Sequence, residues 1–472
     1  MRKTLLLILV LLSVLFLFLT YYPRLFFTEG NGTQDSPFVI KTVKQFNSLS
    51  KIQTKGKFFI LGNDLDFSGV ELKPIKVFGG ILDGNGHVIK NLKIAPNKDG
   101  NSAIFEKILP TGQIKNLTFE NLVIVPGAKS SSISIFNQGE IKDCKVSAEL
   151  FFKEPPKASS EVRYYYPNTV TILAIKVGGI ATVNQGKIEN CTFSGKIASE
   201  IFEDERLYLI SGICVENEKD GTIDNCKTYG EITFERFYSV DIAGICTWNK
   251  SGGMIKNSSS SFKIKTDGNF ANAAGLVFRN DGTISRSIFN GQMEGNSVAG
   301  IVYVNSKTGF VDKTGMIGSL TAFNSVCGIV ESNLGRIFES FFNGEIRSYN
   351  NVNGVFYENF GKIEDVYFHA NVYTKNINNI GYKLGDGGEV NNVFSKVIFK
   401  NQKERFNYFV NYISDKALFG NCISVFSDDG VNFERKANIS DSSKNWDFEN
   451  VWLDKDGEYE LRLMEEMLKN TR

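Results

Sequence analysis

The sequence has few of the residues on which most catalytic and metal sites depend. It contains two histidines, His87 and His369, and no Cys-x-x-Cys, His-Glu-x-x-His, Walker or Rossmann motif. Zinc sites use clustered cysteine and histidine ligands, and phosphate-binding loops use closely spaced glycines before a helix. A catalytic role for His87 would require a carboxylate such as Asp64 or Asp83 beside it. We therefore predict no catalytic residue, no metal and no cofactor.

Proline is missing from most of the chain. All nine prolines lie at or before Pro167, and none occurs between there and the C-terminus. A proline in a central strand deletes a hydrogen bond of the sheet, whereas surface loops use proline freely. The absence favours a long series of central strands over a domain with many irregular loops.

The chain also lacks an excess of charge of either sign. It has 53 basic and 52 acidic side chains among 472 residues, together with 39 phenylalanines and 17 tyrosines. Nucleic-acid-binding domains carry a basic surface that balances the phosphate charge. We therefore expect no nucleic-acid partner. The many aromatic residues suit an interior in which like residues stack on one another.

What the sequence has instead is an internal repeat marked by two glycines. The first glycine occurs at Gly112, Gly139, Gly186, Gly221, Gly253, Gly282, Gly309, Gly335, Gly361 and Gly388. The second precedes it, at Gly179, Gly212, Gly244, Gly275, Gly300, Gly328, Gly354 and Gly381. From Gly282 onward the first glycine recurs every 26 or 27 residues. Repetition at a fixed period of this size is typical of a solenoid.

Between the glycines, apolar and polar residues alternate. Gly186 to Ile197 reads Gly-Lys-Ile-Glu-Asn-Cys-Thr-Phe-Ser-Gly-Lys-Ile, which has a period of two and predicts short strands. A unit of this length is shorter than a propeller blade and has no helical half like that of a leucine-rich repeat. We therefore predict an all-β fold, a single parallel β-helix solenoid of about 11–12 coils and about 55 Å in length, with short helical caps.

Three segments resemble the GLUG-repeat proteins of bacterial surfaces. Residues 178–197 resemble the repeat itself, beginning Gly-Gly-Ile-Ala-Thr-Val-Asn-Gln-Gly-Lys-Ile. Residues 64–92 resemble the N-terminal segment of those proteins, and residues 446–459 resemble their usual ending. The repeats cover residues 112–395, and the resemblance implies a right-handed β-helix of the pectin-lyase type on an exported protein. It also implies a scaffold for adhesion or glycan binding and does not specify an activity.

The first 22 residues have the pattern of a targeting segment. A basic start, Arg2-Lys3, precedes an apolar run from Leu5 to Leu19. This pattern is typical of a cleaved signal peptide or of an uncleaved membrane anchor. Either interpretation predicts export, to the cell surface or into the medium, with membrane contact through residues 1–22 if they are not cleaved.

The remainder divides into three segments. They are an N-terminal cap with the first coils at 28–100, the repeats at 101–395, and the last degenerate coils with a C-terminal cap at 396–472. Apolar spacing predicts an amphipathic capping helix from Val39 to Lys51, strands at Phe58–Phe67 and Gly80–Ile94, and a second capping helix from Glu460 to Lys469.

Asparagine recurs at two positions of the repeat. The first set is Asn137, Asn184, Asn217, Asn249, Asn280, Asn305, Asn333 and Asn359. The second is Asn116, Asp143, Asn190, Asn225, Asn257, Asp365 and Asn392, with Arg286, Lys313 and Glu339 in the intervening repeats. Asparagine tolerates left-handed turn geometry, and stacked amides can bond to one another along the axis. We predict that the first set forms a structural ladder.

Cysteine also recurs in register. Cys144, Cys191 and Cys226 share one position, Cys214 and Cys246 share another, and two further cysteines stand apart. Residues on neighbouring coils lie about 4.8 Å apart with parallel side chains, whereas a disulfide needs Cβ atoms about 3.5–4.5 Å apart. We expect buried thiols, although an odd count in an exported chain also fits disulfides with one spare cysteine.

An insertion at 147–177 interrupts the repeat. It contains Tyr164, Tyr165 and Tyr166 and three of the prolines. Insertions at one corner of a solenoid often carry function, so these tyrosines are candidates for a partner-binding loop. The alternative is a strut packed against a lateral face.

Three functional hypotheses follow, the third being a purely structural envelope spacer with no ligand. The first is a non-enzymatic surface protein whose extended face binds a surface glycan or another cell-surface protein. The second is a polysaccharide lyase or hydrolase, which would require carboxylates or basic residues converging on one lateral face.

Overall fold

The structure is a computed structural model. It describes residues 22–157, 160–165, 169–200, 204–234, 239–268, 270–374, 376–400, 406–427, 434–438, 451–455, 458–462 and 467. The predicted signal peptide or anchor lies outside these residues except for Tyr22, which begins a 3₁₀ turn, Tyr22–Leu25. In the part that is described, we find no helix with the length and hydrophobicity that crossing a bilayer requires.

The chain forms a parallel β-solenoid of about 11 turns, which confirms the predicted fold class. Among the described residues, 44 strands join in one continuous sheet. Each full turn contributes four strand segments, and each segment pairs in parallel with its equivalents in the turns before and after it. These stacked segments form four files, named A to D in chain order within a turn.

Files A and B meet at the corner that carries the second glycine of the repeat. File A contains Asn101–Ser102, Lys129–Ser131, Thr169–Gly178, Leu207–Ser211, Ser239–Ala243, Phe270–Ala274 and Asn351–Asn353. File B contains Phe105–Ile108, Ser134–Asn137, Ala181–Asn184, Cys214–Asn217, Cys246–Asn249, Val277–Asn280, Val302–Asn305, Val330–Asn333 and Phe356–Asn359. Asn376–Leu384 and Phe406–Ile413 continue both files in the last turns.

Files C and D complete each turn. File C contains Phe38–Ile40, Phe58–Leu61, Ile81–Asp83, Gln113–Lys115, Glu140–Lys142, Lys187–Glu189, Thr222–Asp224, Met254–Lys256, Thr283–Ser285 and Phe310–Asp312. File D contains Leu65–Asp66, Val88–Lys90, Lys93–Ile94, Thr118–Ile124, Lys145–Phe152, Thr192–Ser199, Lys227–Phe234 and Ser259–Thr266. Longer strands span two files in the upper turns: Ile288–Ala299, Gly315–Cys327, Arg336–Ser348, Lys362–Val372, Glu389–Phe399 and Leu418–Ser427.

Close backbone contact explains the two glycines of the repeat. A Cβ atom on Gly179, at the A–B corner, would lie 2.0 Å from the carbonyl oxygen of Gly212 in the next turn. A Cβ atom on Gly186, at the B–C corner, would lie 2.0 Å from the carbonyl oxygen of Gly139 in the turn before. Both corners therefore exclude any side chain. The last predicted corner glycine, Gly381, is displaced: it pairs with Phe356 inside file B.

The interior is a series of stacked apolar side chains. From Ile81–Asp83 onward, the middle residue of each file C segment, such as Ile188, Ile255 or Ile337, is fully buried. Residues after the corner glycine, such as Ile180 and Ile213, are buried in the same way. Because each turn buries its apolar face only against its neighbours, the core is continuous along the axis.

The N-terminal end begins with a strand where the sequence predicted helix. Phe38–Ile40 pairs in parallel with Phe58–Leu61, so helix α1 spans only Val43–Ser48 and is followed by a 3₁₀ turn, Leu49–Lys51. The side chain of Thr42 caps the helix by accepting a hydrogen bond from the amide of Gln45. The predicted start at Val39 was wrong because the edge of the first coil offers Phe38–Ile40 a pairing partner.

The insertion begins later in the chain than predicted, and much of its described backbone is paired as strands. Lys145–Phe152 pairs with Thr192–Ser199 along its whole length, so the repeat continues through residue 152. Ser160–Tyr165 then pairs antiparallel with Thr169–Gly178, in which Ala174–Gly178 belongs to file A. The predicted loop at 147–177 is therefore a β-hairpin that extends a solenoid strand outward.

The C-terminal segment lies against the flank of the solenoid. Trp452–Lys455 and Glu458–Leu461 form a separate antiparallel hairpin, so Glu460 and Leu461 are in a strand and the helix predicted from Glu460 was wrong there. Trp452 is fully buried in a cluster with Phe341, Tyr367 and Phe394, on the outward side of the upper coils. A different strand, Glu434–Asn438, pairs antiparallel with the last coil strand.

Candidate functional site

The eight asparagines of the first set lie in one buried file at the ends of the file B strands. Each side-chain amide nitrogen from Asn137 to Asn333 donates to the amide oxygen of the asparagine in the next turn, at 2.7–2.9 Å. Asn359 ends the ladder and donates to the carbonyl of Glu389. Ile108 occupies the equivalent position below Asn137, and Leu384 the one above Asn359. The ladder lies inside the wall of the solenoid, where it hydrogen-bonds each turn to the next.

The second set occupies the corner between files C and D, in the left-handed conformation. Its asparagine and aspartate members have φ values of 50–54°. Arg286, Lys313 and Glu339 adopt the same conformation, with φ of 46°, 52° and 41°. These residues therefore hold the same backbone position as the asparagines, although their side chains cost more strain there.

All seven cysteines are buried and free. In one in-register pair, Cys214 and Cys246, the sulfur atoms lie 3.7 Å apart, which is a hydrogen-bonding contact. Burial raises the pKa of the Cys422 thiol to about 12. The prediction of buried thiols is confirmed, and the disulfide alternative is wrong.

The structure places His87 beside one of its two candidate carboxylates. His87 Nδ1 lies 3.0 Å from Asp64 Oδ1, in a solvent-exposed turn. The same carboxylate oxygen accepts a hydrogen bond from the amide of Val88. The pair therefore ties two early coils together at the surface.

The outward faces of files A and B meet along one side of the solenoid, and the surface at this corner is named the A/B groove. The side chains of the two files touch across it: Lys176 of file A lies 2.9 Å from Glu216 of file B, and both side chains are less than 10% exposed. An apolar cluster outside the main core lies in the same corner. This cluster consists of Ala174, Leu207, Leu209, Val215 and Trp248.

Charged groups surround Trp248 in the lower half of the A/B groove. Its indole lies between Lys250, 4.8 Å from the ring centroid, and Arg279, 5.1 Å away. Its Nε1 donates to Asp281 at 2.5 Å, and Arg279 pairs with the same carboxylate. Lys250 pairs with Glu218 at 2.6 Å. In this half of the groove, each of these cations therefore has an anionic partner.

A column of aromatic residues follows the upper half of the A/B groove. Phe278 and Tyr303 stack at 4.6 Å with an interplanar angle of 8°, and Tyr357 and Tyr382 stack at 4.8 Å with an angle of 3°. Glu331 occupies the same position in the turn between the two pairs. The column therefore has one carboxyl group where a fifth ring would stand.

Glu331 is held by neutral donors. Its Oε2 accepts from Ser325 Oγ at 3.1 Å and from Cys327 Sγ at 3.0 Å, both in file A. Burial raises the pKa of Glu331 to about 7, and the nearby charge of Glu358 acts in the same direction. Burial likewise raises the pKa of Tyr303. The carboxyl group therefore changes its charge near neutral pH.

The sequence analysis did not find the A/B groove. Its candidate binding residues were Tyr164, Tyr165 and Tyr166, of which Tyr166 and all three side chains lie outside the described residues. A signal for the groove was present, because Phe278, Tyr303, Glu331 and Tyr357 each stand three residues after a corner glycine. Among the residues described, no group of three or more His, Cys, Asp and Glu side chains could hold a metal.

Comparisons with known proteins give limited similarity. No protein-family model matches the chain. Halomucin of Haloquadratum walsbyi is 29% identical over 109 residues, which are 21% of this chain and 1% of halomucin. Among solved structures, a candidate immunoglobulin A1 protease from Bacteroides ovatus has a TM-score of 0.41 at 20% identity, covering 57% of this chain and 80% of that protein. An IgA1 protease has a TM-score of 0.28 at 15% identity, covering 85% of this chain and 23% of that protein. Neither structural likeness is strong enough to support an argument about activity.

Proposed function

We propose that this chain is an exported surface protein of the GLUG-repeat type, and that the A/B groove is its binding face for a glycan or another surface protein. The observation that carries the proposal is the groove itself, which extends across successive coils and combines paired charges with aromatic rings. A membrane anchor or signal peptide at residues 1–22 would deliver the protein to the surface. The short match to a region of halomucin supports an exported location.

The composition of the groove favours binding over a single reaction centre. Its charges lie at several levels of the solenoid, from Lys176 to Lys383, and most of them pair with each other. A rigid row of aromatic and polar groups is suited to contacts repeated along an extended ligand. Residues held in successive coils do not need to reorganise on binding, which lowers the entropic cost of association.

The test is a binding experiment with a chain that starts at Glu29. Binding to a glycan array and to cells would be compared for Tyr382→Ala and Lys383→Glu, at the upper end of the groove, and for Lys196→Glu, an exposed lysine of file D. We expect a loss of about tenfold or more for the groove variants and no change for the control. Equal binding by all three variants would remove the groove as the binding face.

Replacement of residues 158–171 by a short Gly-Ser linker tests the inserted hairpin separately. Unchanged binding would favour the strut interpretation of this segment. Loss of binding in this variant alone would move the binding face from the groove to the hairpin.

A second candidate function is a carbohydrate-active enzyme, and it rests on Glu331. A half-buried carboxyl group with a pKa near neutrality in a groove is the kind of group that general acid–base catalysis uses. The test is incubation with a panel of polysaccharides and detection of new reducing ends or unsaturated products. Products formed by the wild type and not by Glu331→Gln would support the enzyme; no products from either would reject it.

A further inference from the structure

The aromatic column of the A/B groove contains a gap at the level of Glu331. Neighbouring turns of a β-solenoid are about 4.8 Å apart, which matches the 4.6 and 4.8 Å stacking distances within the two ring pairs. The rings therefore lie across the axis, with their faces directed along it. Tyr303 is one turn below Glu331 and Tyr357 one turn above, so their facing rings are about 9.6 Å apart.

The carboxyl group in the gap has no cationic partner among the described residues. The groups that face it are Ser325 and Cys327 from file A, Tyr303 from the turn below, and Tyr357 and Glu358 from the turn above. Lys383 lies nearby but pairs with Glu358 at 3.1 Å.

Two other carboxylates of the groove, Glu216 and Asp281, have cationic partners. Glu216 has Lys176 at 2.9 Å, and Asp281 has Arg279 at 3.1 Å. A carboxylate enclosed by aromatic rings and neutral donors is costly unless a positive charge is supplied. The gap therefore lacks a cation of the kind that Glu216 and Asp281 have from the chain's own residues.

We propose that the level of Glu331, between Tyr303 and Tyr357, is a binding site for the ammonium group of an organic cation. Its positive charge would meet the Glu331 carboxylate, and its carbon-bound surface would contact the faces of the two tyrosines. A group midway between the rings is about 4.8 Å from each, within the distance of about 6 Å at which aromatic faces attract cations. This site would be one part of the groove's binding surface, so the proposal rests on the proposed binding role of the groove.

Binding should depend on pH in a defined direction. Only the ionised form of Glu331 attracts a cation, and its pKa is raised to about 7 by burial. Affinity is reduced by the fraction of protein in the competent form, so the dissociation constant should be about tenfold lower at pH 8 than at pH 6. Asp241 and Glu358 lie in the same part of the groove, so single-residue variants are needed to assign the effect.

The experiment measures binding of choline to the full chain by calorimetry at pH 6 and pH 8. The matched probe is 3,3-dimethyl-1-butanol, which has the shape of choline without its charge. We expect choline to bind more tightly at the higher pH and the neutral probe not to bind. Equal binding of the two probes would overturn the proposal, because the carboxylate would then have no part in recognition.

Single-residue variants test whether choline binds at the level of Glu331. Glu331→Gln and Tyr357→Leu should each weaken choline binding about tenfold or more, and Glu345→Gln, at an exposed carboxylate of file D, should not. Circular dichroism establishes folding; if one groove variant does not fold, the other still decides. Choline binding that is unchanged in a folded Glu331→Gln protein would also overturn the proposal.

Two further arms identify the source of the cation and separate this site from the adhesive role. Glucosamine and a lysine methyl ester present the ammonium group on a sugar and on a peptide-like molecule, and the tighter probe indicates the natural class. Cell or glycan binding that persists in Glu331→Gln, with choline binding lost, would leave both proposals standing as independent sites. Loss of adhesion only in Tyr382→Ala and Lys383→Glu would locate the adhesive contacts elsewhere in the groove.

Discussion

At the scale of single residues, asparagine serves two purposes in this solenoid. In file B its side chain is buried and forms the amide ladder, and at the C–D corner its backbone adopts the left-handed conformation. The side-chain hydrogen bonds between asparagines also run in opposite directions at these two positions. Asn217 donates to Asn249 in the next turn, whereas Asn225 at the corner donates to Asn190 in the turn before. The same residue type is therefore selected for its side chain in one file and for its backbone in the other.

Removing a central member of the buried ladder should destabilise the protein. Asn249→Ala deletes the bond from Asn217 and the bond to Asn280, together with bonds to the carbonyls of Gly253 and Thr283. Leaving buried polar groups unpaired costs about 1–3 kcal/mol for each group. We expect a loss of about 3 kcal/mol in the free energy of unfolding, measured by chemical denaturation.

Asn137→Ala is the matched control, because Asn137 is the first member of the ladder. Its amide nitrogen donates to Asn184 and to the carbonyl of Lys187, and its own amide oxygen accepts no hydrogen bond. Its replacement should therefore cost about 1 kcal/mol less than that of Asn249. Equal losses at the two positions would show that the ladder contributes through packing and not through its amide bonds.

Glu331 should make stability depend on pH. Its pKa is about 7 in the folded protein, against an ordinary value of 4.5, so the folded state holds its proton more tightly than the unfolded chain. Stability from this group is complete below about pH 4.5 and declines up to about pH 7, by about 1.4 kcal/mol per pH unit. Glu331→Gln should remove this part of the decline.

The measurement is the difference between the unfolding free energies of wild type and variant at pH 5 and at pH 8. The variant should gain stability relative to wild type at the higher pH, because it buries no charge there. Glu345→Gln, at an exposed carboxylate, should give the same difference at both pH values. A Glu331→Gln difference that does not change with pH would contradict the assigned burial.

At the scale of structural elements, two segments differ from the repeat because they find partners outside it. The insertion forms an antiparallel hairpin continuous with file A, since residues 160–165 have residues 169–174 as a pairing partner. The C-terminal hairpin covers apolar side chains on the flank of the upper coils. The sequence analysis predicted a loop for the first segment and a helix for part of the second, because no local pattern identifies the strand with which each pairs.

Trp452 should be the main contact that holds the C-terminal hairpin to the flank. It is fully buried, packs with Tyr367 and Phe394, and donates from Nε1 to Asp365 at 3.0 Å. Trp452→Ala should cost about 3–5 kcal/mol of docking free energy and release the hairpin. Limited proteolysis should then cleave the chain within residues 440–470, faster than in wild type.

Leu418→Ala, at an exposed side chain of the last coil, is the control and should leave the proteolysis pattern unchanged. The solenoid body should stay folded in the Trp452 variant, because its turns are stabilised by their neighbours. Global unfolding of the variant would contradict the separation of hairpin and body.

At the scale of the whole molecule, the absence of proline after Pro167 reflects the parallel ladder. Almost every backbone amide in the upper turns donates to the turn above or below, including those at corners. The amide of Thr283, for example, donates to the carbonyl of Gly253 at 3.0 Å. A proline removes such a donor and also restricts the residue before it.

Thr283→Pro should therefore destabilise the middle of the solenoid by about 3 kcal/mol or more. Because coils contact only their neighbours, the loss should be local, and hydrogen exchange should increase most in the turns on either side of residue 283. Uniform loss of protection along the chain would show that the solenoid unfolds as one unit.

Ser251→Pro is the matched control at a turn. Gly253 donates to the carbonyl of Lys250 at 2.8 Å, and Gly252 has a φ of 83°, which is the geometry of a type II turn with Ser251 in the second position. Proline is favoured there. We expect a change of less than about 0.5 kcal/mol in stability and unchanged exchange.

The repeat and its consequences were determined by the sequence alone. Two glycines per turn, alternation with a period of two, recurring asparagines and the lack of proline each follow from local sterics and hydrogen bonding, so they predict the solenoid and its buried thiols. These features act between equivalent positions of adjacent turns. A constant spacing in the sequence therefore places the residues next to each other in the structure. The strand Phe38–Ile40, which precedes α1, was missed because an apolar spacing that fits a helix also fits an edge strand.

The tertiary structure alone decided which side chains meet across the A/B groove and on the flank. Lys176 and Glu216 are 40 residues apart, and Trp452 and Asp365 are 87 residues apart. Their contacts depend on the angle at the A–B corner and on where the C-terminal hairpin docks, neither of which is encoded in a local pattern. Likewise, Glu331 became a candidate site only when folding placed it between two pairs of stacked rings, where burial without a cation changes its charge.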